Sequence, residues 1–567
     1  MISMKFSQMP YARPDVDAVL AEYARLAQRA AQAQNGAELV QVYREHDKLN
    51  SHYATQATLV EVRHTVDTRD AFYDAENDFF DAHNPAVGNA QLELYRALLA
   101  SPFRAALDEA YGPILTAKME VAVKSASPEV LELMQQENSL SSAYQKLYAS
   151  AQVEFDGKIM PLPQLGPYKQ STDPAVRRAA CEAEGRFFDE HREEFDDLYT
   201  RMIANRNAQA KKLGYDSYVE LSYLRMGRIG YGRKEVENYR AQVKRDVVPV
   251  LSELFRLKAK RVGLDHPTFS DLGLDFKDGN ALPQGTPEEL LAKAHQMYRE
   301  LSPETAEFFD YMVDNELFDL VSRPGKAPGG YCTVLQEYGA PFIFSNFNGT
   351  SGDVDVLTHE AGHAFQAYVA AKQELPFELA EAGMESCEIH SMSMEFLTAP
   401  WHHLFFGPET EKYTLSHAEY ALFFLPYGCM VDEFQHEAYD HPEWTPEERN
   451  QCWLRLEHEY RPWVDFDGLP FFGRGAGWQR QLHIYECPFY YIDYCLAQTV
   501  ALQFFAAHLA APQDAWQRYL ALVNKGGTVD YAGLVRAAGF AVPFEDGSLK
   551  PVADTVAQWL RDQQKDL

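Results

Sequence analysis

The sequence predicts a mainly α-helical fold that includes one small β-sheet. Long stretches repeat apolar residues at helical spacing, whereas strand-like alternation is confined to two short segments. The 567 residues are 46% hydrophobic and 13% aromatic, which is ample for a large buried core. No internal repeat or low-complexity tract interrupts these patterns. We therefore expect a large helical body with the sheet next to one of its helices.

The N-terminal part of the chain is typical of long helices. An amphipathic pattern over residues 15–34 ends at Asn35-Gly36, a common signal for a helix C-terminus. A second pattern covers residues 37–81, and we expect it to end near Asn84-Pro85 because proline usually interrupts a helix. Together they predict long antiparallel helices. We place a domain boundary near residue 180, between an N-terminal helical region with a short hairpin (1–180) and a catalytic region (181–567).

Strand signals are few and local. Residues 153–160 alternate around Asp156-Gly157 and predict a β-hairpin, which a proline-punctuated loop follows at 161–165. Helices return from residue 173; one spans 198–213 and ends at Gly214, and Thr286 begins another with a capping box. Residues 340–348 alternate aromatic side chains and carry no charge, which predicts a buried strand. As an edge strand, this segment would also hold an extended peptide through its main chain.

A histidine pair indicates the chemistry. The stretch His359-Glu360-Ala361-Gly362-His363 has the H-E-x-x-H pattern within a helical context. Residues four apart lie about 40° apart around a helix and one turn apart along it, so both imidazoles can bind one metal ion. Glu360 lies beside them, off the ligand direction, where its carboxylate can reach a metal-bound water. This spacing predicts zinc-assisted hydrolysis of a peptide bond.

A catalytic zinc needs a third protein ligand and an open position for water. The apolar segment 378–395 offers five candidates: Glu381, Glu385, Glu388, His390 and Glu395. Three of these, Glu385, Glu388 and Glu395, share one helix face, where carboxylates are costly unless paired or metal-bound. A solvated acidic face is the alternative, but the surrounding residues are too apolar for it. Spacing alone does not choose Glu388 over Glu385.

These motifs resemble the M3 family of zinc metallopeptidases, in its oligoendopeptidase F branch. The resemblance lies in residues 340–350, in 359–365 and in 385–391. It implies one zinc ion per chain, bound by His359, His363 and Glu388, with a further glutamate, Glu395, seven residues after the third ligand. It also implies an α-helical body with a deep substrate channel, which would admit flexible peptides and exclude folded proteins.

Two residues depart from the family pattern. His390 stands where the family usually has a small residue, and Cys387 directly precedes the implied ligand Glu388. Either residue would be able to perturb the site. A buried free cysteine usually behaves as a small hydrophobic residue, so we do not expect Cys387 to be a metal ligand.

A second group of candidate residues lies within 483–494. Tyr490 and Tyr494 are four residues apart and Tyr491 and Tyr494 three apart, so at least two hydroxyls can share a helix face. Aromatic stripes of this kind usually pack in a core. The resemblance implies instead that a histidine and tyrosines here contact the substrate and the oxyanion of the tetrahedral intermediate. His483, Tyr491 and Tyr494 match that spacing best, and a one-residue shift in register would bring in Tyr490.

Composition and charge exclude several classes of partner. The formal net charge is −31, which repels nucleic acid and anionic membranes, and no basic patch with interleaved aromatic residues is present. The N-terminal ten residues lack the apolar region of a secretory signal, and the most apolar run, 420–431, is short and contains Pro426. Seven dispersed cysteines without a C-x-x-C pair predict free thiols in a reducing compartment. We expect a cytoplasmic protein.

The predicted function is a zinc-dependent endopeptidase that cleaves short unstructured peptides. Zinc would polarise the scissile carbonyl and acidify a water, and Glu360 would take its proton and deliver it to the leaving amine. His483 and a tyrosine would stabilise the oxyanion. One alternative is a helical zinc carboxypeptidase, which needs a cationic anchor for the substrate carboxylate. Another is an inactive peptide-binding protein, against which the intact Glu360 argues.

Overall fold

The predicted helical fold class is confirmed by a computed structural model that describes residues 4–565. The structure is 72% helical and only 4% strand. Its residues form two units, each built from three separate chain segments. Unit 1 comprises residues 4–124, 282–410 and 507–540, and unit 2 comprises residues 125–281, 411–506 and 541–565. Residue 180 lies inside unit 2.

The helices and strands have the following bounds. The first fourteen helices are α1 (Val16–Gln32), α2 (Gly36–Val66), α3 (Ala71–Ala100), α4 (Ala105–Tyr111), α5 (Pro113–Ser125), α6 (Leu131–Ala149), α7 (Gly166–Lys169), α8 (Pro174–Glu190), α9 (Arg192–Lys212), α10 (Tyr218–Arg225), α11 (Arg233–Gln242), α12 (Val248–Val262), α13 (Pro287–Leu301) and α14 (Pro303–Asp314). The next twelve are α15 (Gly352–Lys372), α16 (Phe377–Ala380), α17 (Met384–Leu397), α18 (His402–Phe406), α19 (Thr410–Asp440), α20 (Pro446–Tyr460), α21 (Pro470–Gly473), α22 (Leu482–Glu486), α23 (Tyr491–Ala510), α24 (Pro512–Val523), α25 (Tyr531–Ala537) and α26 (Leu549–Gln563). The strands are β1 (Val153–Phe155), β2 (Lys158–Met160), β3 (Phe318–Val321), β4 (Tyr331–Leu335) and β5 (Ala340–Phe347). Within residues 4–565, none of the helices combines the length and the apolar character that a membrane span requires.

The first two helices follow the sequence pattern, but the predicted end near Pro85 is wrong. The second pattern divides earlier, where α2 ends at Val66 and Asp70 caps α3 by accepting the N–H groups of Phe72 and Tyr73. Helix α3 then continues through Pro85 to Ala100. Buried side chains of α3 lie on both sides of this proline in the core formed with α1 and α2. That burial outweighs the one main-chain hydrogen bond that proline removes. Pro426 likewise lies inside α19.

Several local predictions are confirmed. Strands β1 and β2 form the expected antiparallel hairpin, and both turn residues, Asp156 and Gly157, have positive φ (51° and 70°), as a two-residue type I′ turn requires. Gly214, with φ 84°, follows the end of α9. Thr286 and Glu289 form the predicted reciprocal capping box at the start of α13. The segment expected as a loop after the hairpin instead contains a short 3-10 turn, Leu162–Leu165.

The small sheet of unit 1 has the strand order β3-β5-β4. Strand β5 is parallel to β3 and antiparallel to β4, and most of its residues are buried. The prediction of a buried strand is therefore confirmed, but the prediction of an edge strand is wrong. Neighbours on both sides already use the main-chain groups of β5, so it has no free edge for a peptide. Helix α15, which carries the histidine pair, packs against β5 and β4.

Unit 2 contains a separate helical core. Helix α6 packs against α9, and α21 packs against α8. The ring of Tyr144 in α6 stacks on that of Tyr485 in α22, with centroids 3.9 Å apart. The fully buried guanidinium of Arg206 donates to the hydroxyl of Tyr439 (2.9 Å) and pairs with Glu137. These contacts join segments that are far apart in the sequence.

Candidate active site

A tight turn sets the start of the helix that carries the histidine pair. The carboxylate of Asp353 in α15 accepts the N–H groups of Asn348 (2.9 Å) and Gly349 (2.7 Å), which directly follow β5. Gly349 adopts φ 85°, a conformation that favours glycine. The end of β5 and the first turn of α15 are thereby joined, and the helix is directed along the face of the sheet.

The histidine helix and the glutamate helix meet at Gly362. A Cβ atom on Gly362 would lie 2.5 Å from the carbonyl oxygen of His390 and 2.6 Å from the Cα of Ser391. Only glycine allows the two main chains to come this close. Gly362 occupies an unconstrained position of the H-E-x-x-H pattern, so the pattern does not predict its packing role. This contact places α17, and with it Glu388, opposite the two histidines of α15.

Three side chains converge at this contact. The carboxylate oxygen Oε2 of Glu388 lies 3.2 Å from Nε2 of His359 and 3.6 Å from Nε2 of His363. Each of the three residues offers one ligand atom, and these atoms all lie within 4.8 Å of one another. The histidine side chains are 22% and 20% exposed, so the cluster can be reached from outside the protein core. The structure thus brings together the three residues that the resemblance proposed as ligands.

A second glutamate orients His359. Oε1 of Glu395 lies 2.8 Å from Nδ1 of His359, so Nδ1 donates its proton to this carboxylate. The other ring nitrogen, Nε2, faces Glu388. Although burial acts to lower it, hydrogen bonds with Glu388 and Glu395 raise the pKa of His359 well above its ordinary value. Burial lowers the pKa of His363 to about 4, which keeps its imidazole neutral at pH 7, the form that binds metal.

Glu360 differs from the neighbouring carboxylates. Its side chain is buried, and that burial raises its pKa to about 7, with a further contribution from the negative charges of Glu388 and Glu395. No hydrogen bond or ion pair ties it to the ligand set in the way that Glu395 is tied to His359. A carboxyl group that titrates near neutral pH can both accept and return a proton.

The remaining candidates of this segment lie outside the ligand cluster. Glu385 is 3% exposed and its carboxylate lies near Gly383 at the start of α17. The Sγ atom of Cys387 is 3.6 Å from the carbonyl oxygen of Ala382, and burial raises the pKa of this thiol well above its usual value. His390 is fully buried, and burial lowers its pKa to about 3, so it is neutral. Because Glu385 and Glu388 are both buried, a solvated acidic face is excluded.

The C-terminal candidates form a second cluster, in unit 2. The ring of His483 lies 5.0 Å from that of Tyr491 and 6.0 Å from that of Tyr494, and the rings of Tyr490 and Tyr494 are 4.8 Å apart. All four side chains are partly exposed, in contrast to the fully buried Tyr485 nearby in the chain. The four rings therefore lie next to one another, and their partial exposure distinguishes them from core residues.

His483 is hydrogen-bonded to a chain of two further side chains, Gln481 and Tyr427, which the sequence pattern does not predict. The hydroxyl of Tyr427 donates to Oε1 of Gln481 (2.8 Å), and Nε2 of Gln481 lies 2.8 Å from Nδ1 of His483. In this amide orientation Gln481 donates to Nδ1, and the proton of a neutral His483 is carried on Nε2. Gln481 and His483 are only two residues apart, but Tyr427 is distant in sequence, so no local pattern marks these hydrogen bonds.

Two peptidase family models match the chain. Residues 6–126 match the family model described as Peptidase M3 N-terminal domain, and residues 297–553 match the one described as Peptidase family M3. The second match contains His359, His363 and Glu388, and also the C-terminal cluster. No curated protein sequence matched the chain.

Solved structures extend the match over the whole chain. A structure described as PZ peptidase A with inhibitor 2 is 45% identical, covers 99% of this chain and 100% of its own, and has a TM-score of 0.93. A candidate oligoendopeptidase F is 44% identical, with coverage of 99% and 100% and a TM-score of 0.93. Another, from Bacillus anthracis str. Ames, is 42% identical, with full coverage of both chains and a TM-score of 0.88. The fold and its relatives define a metalloendopeptidase. The chain belongs to peptidase family M3, in its oligoendopeptidase F branch.

Proposed function

We propose that this protein is a zinc-dependent endopeptidase that hydrolyses internal bonds of short, unstructured peptides. The observation that carries the proposal is the convergence of His359, His363 and Glu388 next to Glu360, whose pKa is about 7. Family membership supports peptidase activity. The internal channel that the family resemblance implies supports the restriction to flexible peptides. The seven free thiols support the cytoplasmic location that we also propose.

The donor set fits one zinc ion per chain. Two imidazole nitrogens and one carboxylate oxygen are the ligands of a common class of catalytic zinc site, which leaves one position open. The hydrogen bond from Nδ1 of His359 to Glu395 is the support that such ligands usually have. When bound, zinc supplies a Lewis acid that polarises the scissile carbonyl and makes water more acidic.

The other residues act as proton carriers and hydrogen-bond donors. Glu360 takes a proton from the attacking water and later delivers it to the leaving amine; its burial raises its pKa and so favours its holding the proton between the two transfers. We propose, from the family resemblance, that His483 and Tyr491 donate hydrogen bonds to the developing oxyanion. In the same proposal Tyr490 and Tyr494 contact the substrate. Donors of this kind act mainly in the transition state.

A peptide digest tests the reaction type. The purified enzyme is incubated with one flexible peptide in two forms, with free and with blocked termini, and the fragments are identified by mass spectrometry. Internal cleavage of both forms is expected. Stepwise C-terminal loss confined to the free form would indicate a carboxypeptidase, and no cleavage of either form would indicate a binding protein.

Metal analysis tests the ligand assignment. We expect one zinc per chain and loss of activity on chelation. Glu388→Gln should lose most of the zinc, whereas the matched variant Glu385→Gln, on the same helix but outside the cluster, should retain it. Full zinc content and activity in Glu388→Gln would place the third ligand elsewhere.

A further inference from the structure

The turn that precedes α23 contains a phenylalanine in a strained conformation. Phe489 has φ 68°, in the left-handed region that bulky side chains rarely adopt. It lies immediately before Tyr490 and Tyr491, two of the candidate residues. Non-glycine residues keep this conformation only where the surrounding structure holds them in it, and such positions cluster at functional sites.

Three side chains hold the main chain of this turn. The hydroxyl of Ser222 in α10 donates to the carbonyl of Pro488 (3.1 Å). The N–H of Phe489 donates to Oε1 of Gln435 in α19 (2.9 Å), and the carbonyl of Phe489 accepts a hydrogen bond from the Nη2 of Arg228. The polar main-chain groups on both sides of the strained residue are therefore satisfied by residues distant in sequence.

Arg228 also reaches the first turn of α23. The same Nη2 donates to Oδ1 of Asp493 at 2.8 Å, and both side chains of this ion pair are fully buried. The two acceptors of Arg228, at positions 489 and 493, bracket Tyr490 and Tyr491 in the chain. A buried ion pair is weak evidence for stability but can impose one geometry on its surroundings. Here the ion pair joins the turn at Phe489 to the first turn of α23.

Aromatic side chains also pack against the ring of Phe489. It lies 4.8 Å from the ring of His436 and 6.0 Å from that of Tyr223, and Tyr223 and His436 are themselves hydrogen-bonded at 3.0 Å. The guanidinium of Arg228 lies 4.2 Å above the ring of Tyr223. Arg228 and Phe489 thus share Tyr223 as a packing partner, in addition to the hydrogen bond between them.

We propose that Arg228 is a positioning residue for the peptidase reaction. By binding both Phe489 and Asp493 it holds the strained turn, and it thereby sets the direction of the hydroxyls of Tyr491 and Tyr494. This inference rests on the proposed function, because Arg228 acts only through tyrosines that are themselves proposed to act on the substrate. Arg228 contacts neither substrate nor metal in this scheme.

Replacement by lysine tests the two hydrogen bonds that Arg228 donates, to Phe489 and to Asp493. Lysine keeps the charge, but its side chain is shorter than that of arginine, so its nitrogen does not reach the position of Nη2, and it lacks the planar group that lies over the ring of Tyr223. Arg228→Lys should lower kcat by at least about tenfold and change KM by less than about threefold, because a misdirected donor acts mainly in the transition state. Zinc content should stay at the wild-type level.

A matched variant separates positioning from stability. Arg261 forms another buried ion pair of unit 2, with Glu419, whose side chains are 6% and 2% exposed. Arg261→Lys should lower the Tm to a similar extent and leave kcat near wild type. Gln435→Met removes the acceptor for the N–H of Phe489 and should lower kcat in the same way. If Arg228→Lys does not fold, this variant tests whether the strained turn positions the tyrosines.

A double-mutant cycle shows whether Arg228 acts through the tyrosines. Arg228→Lys is introduced into Tyr491→Phe and into Tyr494→Phe, and we expect little further loss of kcat in at least one of these backgrounds. If each tyrosine variant alone lowers kcat but Arg228→Lys costs the same factor in every background, the inference is overturned and the proposed function stands. If both tyrosine variants alone keep wild-type kcat, the oxyanion role of the tyrosines and the inference fall together.

Discussion

At the scale of single residues, the environment assigns different roles to chemically identical carboxylates. Glu388 lies between two imidazoles, Glu395 is hydrogen-bonded to one of them, and Glu360 is buried beside both without either tie. Burial therefore raises the pKa of Glu360 to about 7, close to the value that suits proton transfer at neutral pH. In the proposed function, Glu388 and Glu395 serve the metal site and Glu360 carries the proton.

Glu360→Gln separates the proton carrier from the ligands. The amide keeps the shape of the side chain but cannot take a proton, so kcat should fall by at least about 10²-fold. Zinc content and peptide binding should remain near wild type. Zinc measured by atomic absorption and binding measured by calorimetry check this; loss of the metal would show that Glu360 is a ligand.

Tyr491→Phe and Tyr494→Phe test the hydroxyls without removing the rings. If one of them donates to the oxyanion, its loss should lower kcat by about 10²–10³-fold with little change in KM. His483→Ala should behave in the same way. The Tm and zinc content of each variant serve as controls. Near-normal kcat in all three variants would return residues 483–494 to a packing role.

At the scale of secondary-structure elements, the site depends on how closely two helices approach. His359 and His363 lie on α15 and Glu388 lies on α17, so the distance between these helices determines whether the three ligand atoms meet. Gly362 permits that distance, since any side chain there would contact the main chain of residues 390 and 391. The neighbouring main chain cannot give way as a flexible side chain would.

Gly362→Ala should therefore damage both stability and metal binding. The added methyl group would overpack the interface, which typically costs about 1–3 kcal/mol, and it would move Glu388 away from the histidines. Denaturant unfolding and a zinc-affinity titration measure the two effects. Gly88→Ala is the matched control: Gly88 is also within a helix but has nothing within 4 Å, so this change should be neutral or slightly stabilising. Wild-type zinc affinity in Gly362→Ala would contradict the packing role.

At the scale of the whole molecule, contacts between distant chain segments hold the glutamate helix in place. Glu378, in α16 just before α17, accepts hydrogen bonds from Tyr43 (2.6 Å) in α2 and Tyr95 (2.6 Å) in α3, and its Oε1 lies 2.7 Å from Nε2 of His46. Although burial acts to raise it, the charge of His46 and these hydrogen bonds lower the pKa of Glu378 to about 2. The N-terminal helices thus stabilise the segment that leads into the site.

Glu378→Gln should reveal this stabilisation as a dependence on pH. Because the pKa is about 2 in the folded protein and about 4.5 ordinarily, the ionised carboxylate contributes about 3 kcal/mol above pH 4.5, and this contribution is lost as the pH falls from 4.5 towards 2. The difference in unfolding free energy between wild type and variant should shrink as the pH falls below about 4.5. Denaturant unfolding at several pH values measures it. A difference that does not change with pH would contradict the assigned pKa.

The sequence by itself determined the features whose causes lie within a few residues. Helix starts such as the capping box at Thr286, the Asp156-Gly157 hairpin and the H-E-x-x-H pair depend on neighbouring side chains and on helical geometry, and the first two are confirmed. Family resemblance, rather than spacing, selected Glu388 over Glu385. The same resemblance favoured a role in catalysis for His483 and the tyrosines over a role in core packing.

Only the tertiary structure decided the features that depend on distant segments. Helix α3 passes through Pro85 because core burial on both sides exceeds a local penalty, and β5 is central because a strand from each side pairs with it. The close approach at Gly362 and the positive φ of Phe489 likewise arise from residues far away in the chain. Capping and turn preferences depend on residues within about one helical turn, whereas packing depends on contacts from the whole fold. The fold therefore decided the geometry of the site, and the sequence indicated its chemistry.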